Sequence, residues 1–147
     1  MNRYTEIDYI KTQMKKWELF KNYDTTIVEL SNNEKSKIMI ELSNNVFEID
    51  ITLANINKCL EQLNRDIDVI KDFENDTVLN DKSLTNQDKR RIAINLNLQK
   101  NKDYIDMYSE YKHILHIEYL LRALKDYMLS ILQSLRIIYN KDADKHD

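Results

Sequence analysis

The sequence predicts an all-α protein, and three observations carry that prediction. Apolar residues recur at alternating steps of three and four over two long stretches, the period of a helix face. The chain contains no glycine and no proline, where average usage would supply roughly ten and seven. Polar clusters with capping-box spacing stand just before periodic stretches, at Ser31-Glu34 and Thr85-Asp88. Sheet-rich folds need positive φ in their tight turns, and glycine usually supplies it. A chain without glycine suits a fold with few turns, in which asparagine and aspartate take those positions.

Residues 3–23 read as a first helix. Tyr4, Ile7, Ile10, Met14, Trp17 and either Phe20 or Lys21 mark one face. Lys11, Lys15, Lys16 and Lys21 occupy much of the remainder. A basic helix bearing aromatics suits a membrane surface or a nucleic-acid backbone. Glu6, Asp8 and Glu18 dilute that charge, and a bundle helix with Trp17 in the core is the simpler expectation. Asp24-Thr25-Thr26 and Ser31-Asn32-Asn33 then break the pattern with side chains that compete for backbone donors. Thr25 to Leu30 reads as a short helical turn or a bent continuation.

The second helix is expected over about 32–74. Its seam is Met39, Leu42, Val46, Ile49, Leu53, Ile56, Leu60, Leu63, Ile67 and Ile70, aliphatic or methionine at every a and d position. This stripe cannot bury itself, so another helix must lie along it. Ile40, Phe47, Ile51, Ala54 and Val69 lie off the seam, which favours three or four packed helices over a two-stranded coil. Cys59 stands beside the seam and reads as a small packed thiol. Glu74 through Ser83 is the clearest loop, with Val78 and Leu79 expected to dip back to the core.

A third helix is expected over about 85–100, opening on the Thr85-Asp88 box. Within it Ile92, Ile94, Leu96 and Leu98 alternate with smaller or polar residues, a period-two strand signal. The preceding box favours helix, while a strand here would form an edge for pairing between chains. The last helix is expected over about 103–139. Its seam is Ile114, Ile117, Leu121, Leu124, Met128, Ile131, Leu135 and Ile138, widened by Leu120, Tyr127, Leu132 and Tyr139. Residues 141–147 form a charged tail. All of this makes one all-helical domain, with the two long helices as an antiparallel, coiled-coil-like pair inside a helical bundle.

Composition narrows the function. The 22 basic and 25 acidic residues leave a net charge of −3, which argues against a global field for nucleic acid. A single cysteine forbids an internal disulfide and suits a reducing, cytoplasmic compartment. No stretch has the run of apolar residues a spanning helix needs, and Met1 to Glu6 has no apolar signal core. The Asn, Lys, Ile, Asp and Tyr bias suggests an AT-rich genome, such as a low-GC bacterium, its phage or a protist. For a phage protein the compartment would be the host cytoplasm. Phosphate-cradling loops, dinucleotide fingerprints and the nucleophile elbow all require glycine. No serine or cysteine has a visible base, so no catalytic residue and no cofactor is expected.

Two constellations stand out. Glu110, His113 and His116 are spaced by three. Glu-x-x-His is half of a carboxylate-bridged di-metal site, but no second copy exists and no metal is expected. Lys89, Arg90 and Arg91 form the densest basic cluster, followed by Lys100 and Lys102 and then Tyr104, Tyr108 and Tyr111. Cations beside aromatic rings are what single-stranded nucleic acid needs, and these eight residues are the candidate contacts with a nucleic acid or a protein.

In the last helix, Ile117-Glu118-Tyr119-Leu120 and Ala123-Leu124-Lys125, after a segment containing Asp103, resemble the UvsY-type recombination mediators of T4-like phages. The resemblance implies a small all-helical protein that assembles into rings through its last helix. It also implies single-stranded DNA contacts on the basic segment and loading of a recombinase. The chain departs from that family in its net acidic charge. It also has Asp72-Phe73-Glu74 where the family carries an aromatic pair and glycine. The leading expectation is therefore a non-enzymatic helical interaction or assembly protein, such as a phage accessory factor or inhibitor. It would be a homo-oligomer or bind a protein partner, with the DNA-binding mediator as the alternative.

Overall fold

The structure is a computed structural model that describes residues 30–143; the expected helix over 3–23 and the last residues of the tail lie outside the described residues. Among the described residues there are three helices and no strand. They are α1 (Asn32–Asn80), α2 (Gln87–Lys100) and α3 (Lys102–Ala143).

α1 starts where the capping box places it. Ser31 N donates to Glu34 Oε2 at 2.8 Å, and Glu34 N donates back to Ser31 Oγ at 3.3 Å. These two bonds satisfy donors that the first helical turn leaves orphaned. They also hold the Glu34 carboxyl below its ordinary range, the Ser31 hydroxyl contributing most and the Ser31 N–H next. Glu34 is exposed, so solvent screens the effect on stability.

The end of α1 corrects the sequence reading. The helix continues six residues beyond Glu74 through the stretch read as loop. Apolar periodicity stops after Ile70 because Lys71 and Glu74 take the next inward positions, both half-buried. The face then closes on Val78, which is buried. Leu79 points outward and is exposed, against expectation. The connection to α2 is short. Ser83 N and Oγ both donate to Asp81 Oδ1, and these bonds pull the Asp81 carboxyl below its usual value.

α2 is capped by Asn86, not by the expected Thr85 box. Asn86 has extended backbone, and its Oδ1 accepts from Asp88 N at 2.8 Å. The period-two stretch is helical. Residues four apart share a helix face and residues two apart lie on nearly opposite faces. Leu98 is therefore buried with Ile94 half-buried one turn away, while Ile92 and Leu96 are exposed.

One residue joins α2 to α3. Asn101 N–H donates to the carbonyls of Asn97 and Leu98, closing α2. Its Oδ1 accepts from Tyr104 N at 3.1 Å, opening α3, and its Nδ2 donates to Glu74 Oε1 at 3.3 Å. No described residue has positive φ. The expectation that asparagine and aspartate would supply it is therefore corrected: at these corners they act through side-chain hydrogen bonds.

Contacts divide the chain into two units. The first joins Met1–Ala54 with Ile117–Asp147, within the described limits, and the second is Asn55–His116. In the first unit Leu42, Ile49 and Leu53 of α1 are buried, as are Ile117, Leu121, Leu124, Met128, Ile131, Leu132 and Leu135 of α3. Lys125 Nζ reaches Asp50 Oδ1 at 2.6 Å in the same unit. Lys35 is also buried there, at 2% exposure, in step with the seam one turn before Met39. In the second unit Ile56, Leu60, Ile67, Val78 and Leu98 are buried. Cys59 is exposed, which corrects the packed-thiol reading. Phe47, Ile40, Ile51 and Val69, expected to widen the packing, are exposed as well.

Candidate functional site

The eight candidate contacts do not gather at one place. Lys89 and Arg91 are exposed in the first turn and a half of α2. Arg90 is half-buried and turned inward, its Nε donating to the Leu84 carbonyl at 2.7 Å. It holds the preceding loop to α2. Lys100 ends α2 and Lys102 begins α3, both exposed. Along α2, Lys89 to Arg91 stand nine to eleven residues before Lys100, a rise of about 14–17 Å.

The tyrosines do gather. Tyr104 and Tyr108 stack, with ring centroids 5.6 Å apart and planes within 7° of parallel. Lys112 Nζ lies 4.7 Å from the Tyr108 ring centroid. The i, i+4 spacing of α3 makes this ladder, since residues four apart stand one above another on a helix. Tyr111, half-buried, follows one residue before Lys112. From α1, Lys71 approaches the same ladder. Its Nζ donates to Asp68 Oδ1 at 3.0 Å. That bond, chiefly, raises the Lys71 pKa; burial opposes it, and the Asp68, Tyr104 and Tyr108 charges add to it.

Lys71 and Lys112 were not among the residues singled out in the sequence. Lys112 was legible as the next i+4 step after Tyr108. Lys71 was not, because only the packing of α1 against α3 within Asn55–His116 brings it there. The ladder's chemistry is that of a cation-flanked aromatic strip. One face of each ring is already taken by its neighbour, and Lys112 sits over Tyr108. The strip therefore offers ring edges and hydroxyls more than free faces.

The Glu110-His113-His116 group does not converge. Glu110 and His113 are half-buried and His116 is exposed. Among the described residues no set of three histidine, cysteine, aspartate or glutamate side chains is placed to hold a metal ion. His113 Nε2 is enclosed without a hydrogen-bond partner. No helix among the described residues is long and apolar enough to cross a membrane.

The broader feature is apolar. In Asn55–His116 Leu79 of α1 and Leu115 of α3 are exposed singly, and each of the three helices also exposes a pair of large apolar side chains about one turn apart. The pairs are Val69 and Phe73 on α1, Ile92 and Leu96 on α2, and Ile105 and Tyr108 on α3. No protein-family model, curated protein or solved structure matches the chain.

Proposed function

We propose that this chain is a non-enzymatic helical interaction and assembly protein that works by burying outward apolar faces against protein. Its two long helices act as a coiled-coil-like pair within a helical bundle, and the remaining faces carry the binding. The paired exposed apolar residues of Asn55–His116 support this reading. Single exposed apolar residues are ordinary on any protein surface. Pairs at helical spacing on three successive helices match the anchors of helix-in-groove recognition. Val69 and Phe73 are each 68% exposed, and burying a side chain of that size stabilises a complex by about 1.5–3 kcal/mol.

Light scattering coupled to size exclusion, over a dilution series, tests the proposal. A mass above that of the 17.7 kDa chain is expected, falling when Val69→Ser and Phe73→Ser are combined. A monomer at every concentration, unchanged by the substitutions, would sink the assembly role.

The UvsY-like mediator is a second reading. Lys71 and Lys112 beside the Tyr104–Tyr108 stack favour it, because cations flanking rings are one element of a single-strand binding groove.

A further inference from the structure

Within Asn55–His116 the apolar pairs of α1 and α2 match in spacing and differ in the sign of the charge around them. Val69 and Phe73 stand four apart on α1, Ile92 and Leu96 stand four apart on α2, and all four are exposed. Residues four apart share a helix face, so each pair makes a strip with two anchors. The setting of the α1 pair is acidic. Residues 66–76 contain Asp66, Asp68, Asp72, Glu74 and Asp76 against Lys71 alone. Asp72 and Asp76 are exposed and fall within about 60° of Val69 around the helix. Lys71 lies on the far side, half-buried, with its Nζ donating to Asp68. The setting of the α2 pair is basic. In Gln87–Lys100 the only acid is Asp88. Against it stand Lys89, Arg91 and Lys100, all exposed, and the inward-turned Arg90.

We propose that the α1 face of one copy docks on the α2 face of a second copy, a head-to-tail contact between two different surfaces. This rests on the assembly reading above and names the surface that each apolar pair meets. All four anchors are exposed in the single chain, so the two faces do not meet within one copy.

Charge selects the occupant. The α1 face set against itself would bring Asp72 and Asp76 up to the same carboxylates. The α2 face set against itself would bring Lys89, Arg91 and Lys100 up to the same cations. Juxtaposed like charges suppress a wrong partner. Of the pairings between these two faces, only the crossed one puts opposite signs around a shared apolar centre, with the charges on the rim where interfaces carry them. The α3 pair, Ile105 and Tyr108, stands among Lys102, Asp106 and Lys112 and has no such bias. A contact between unlike surfaces also leaves one face unfilled at each end of an assembly, so further copies add in the same way.

Light scattering on mixed variants tests the crossed pairing. One variant loses the α1 face through Val69→Ser with Phe73→Ser, and the other loses the α2 face through Ile92→Ser with Leu96→Ser. Each alone is expected to be a 17.7 kDa monomer, and the equimolar mixture to form a dimer that grows no further. A second set leaves the apolar anchors intact. Asp72→Lys with Asp76→Lys is expected to lower the mass of the assembly, and adding Lys89→Glu with Arg91→Glu to the same chain to restore it. Restoration supports the pairing even where the serine variants form no mixed dimer. The pairing is overturned if either single-face variant self-associates as the unaltered chain does, because that face would then pair with itself. It is equally overturned if the mixture stays monomeric and the exchanged charges restore nothing. In both cases the unaltered chain still assembles and the assembly role stands, whereas an unaltered chain that is monomeric throughout overturns the two together.

Discussion

At the scale of single residues, Asn101 is the most consequential polar side chain described. Its side chain caps α3 and bonds to Glu74 on α1, while its backbone N–H closes α2. Helix caps lost to alanine cost about 0.5–2 kcal/mol, and Asn101→Ala also leaves Glu74 without this bond. Asn101→Ala should therefore lower stability in urea by about 1–2 kcal/mol, with Asn101→Asp retaining part of the cap. Equal stability of Asn101→Ala and the unaltered protein would refute the role. Little of this was legible beforehand. An asparagine between two helices announces a turn, but its third bond depends on Glu74 arriving from 27 positions away. The exposure of Cys59 and burial of Lys35 were hidden for the same reason. A heptad assignment gives a residue's direction on its helix, and only packing decides whether a neighbour stands there.

At the scale of elements, the seams of α1 and α3 were legible because burial follows the three-four period closely. Leu124, Met128, Ile131 and Leu135 are each fully enclosed. Leu124→Ala should cost about 2–5 kcal/mol by cavity formation, whereas Leu129→Ala, partly exposed on the same helix, should cost well under that. Chemical denaturation of the two variants separates them, and similar losses would mean the seam is not the core. Where the sequence misled, polar residues held seam positions. Lys71 and Glu74 hid the last turns of α1, and their aliphatic stems allow such burial while their charged ends reach partners. The alternation from Ile92 to Leu98 was ambiguous because period two populates both faces of a helix as well as both faces of a strand. The Asn86 cap resolves it locally, by starting α2 before the alternation begins.

At the scale of the whole molecule, charge decides between the protein-binding and nucleic-acid readings. Phosphate contacts dominate single-strand affinity, and each one made adds to its salt dependence. The chain is net acidic. Asp66, Asp68, Asp72, Glu74 and Asp76 share the unit that holds Lys89, Arg91 and the tyrosine ladder. The ladder's cations are partly engaged as well, Lys71 by Asp68 and Lys112 by the Tyr108 ring. The full chain should therefore leave a single-stranded oligonucleotide unbound at physiological salt, and bind it weakly at most when salt is lowered. Fluorescence anisotropy over a salt series measures this. Tight binding that falls steeply with salt, and is lost in Lys71→Ala with Lys112→Ala but not in Val69→Ser with Phe73→Ser, would put the mediator reading first. Weak binding indifferent to both pairs would leave the apolar pairs of α1, α2 and α3 as the surface through which the protein acts.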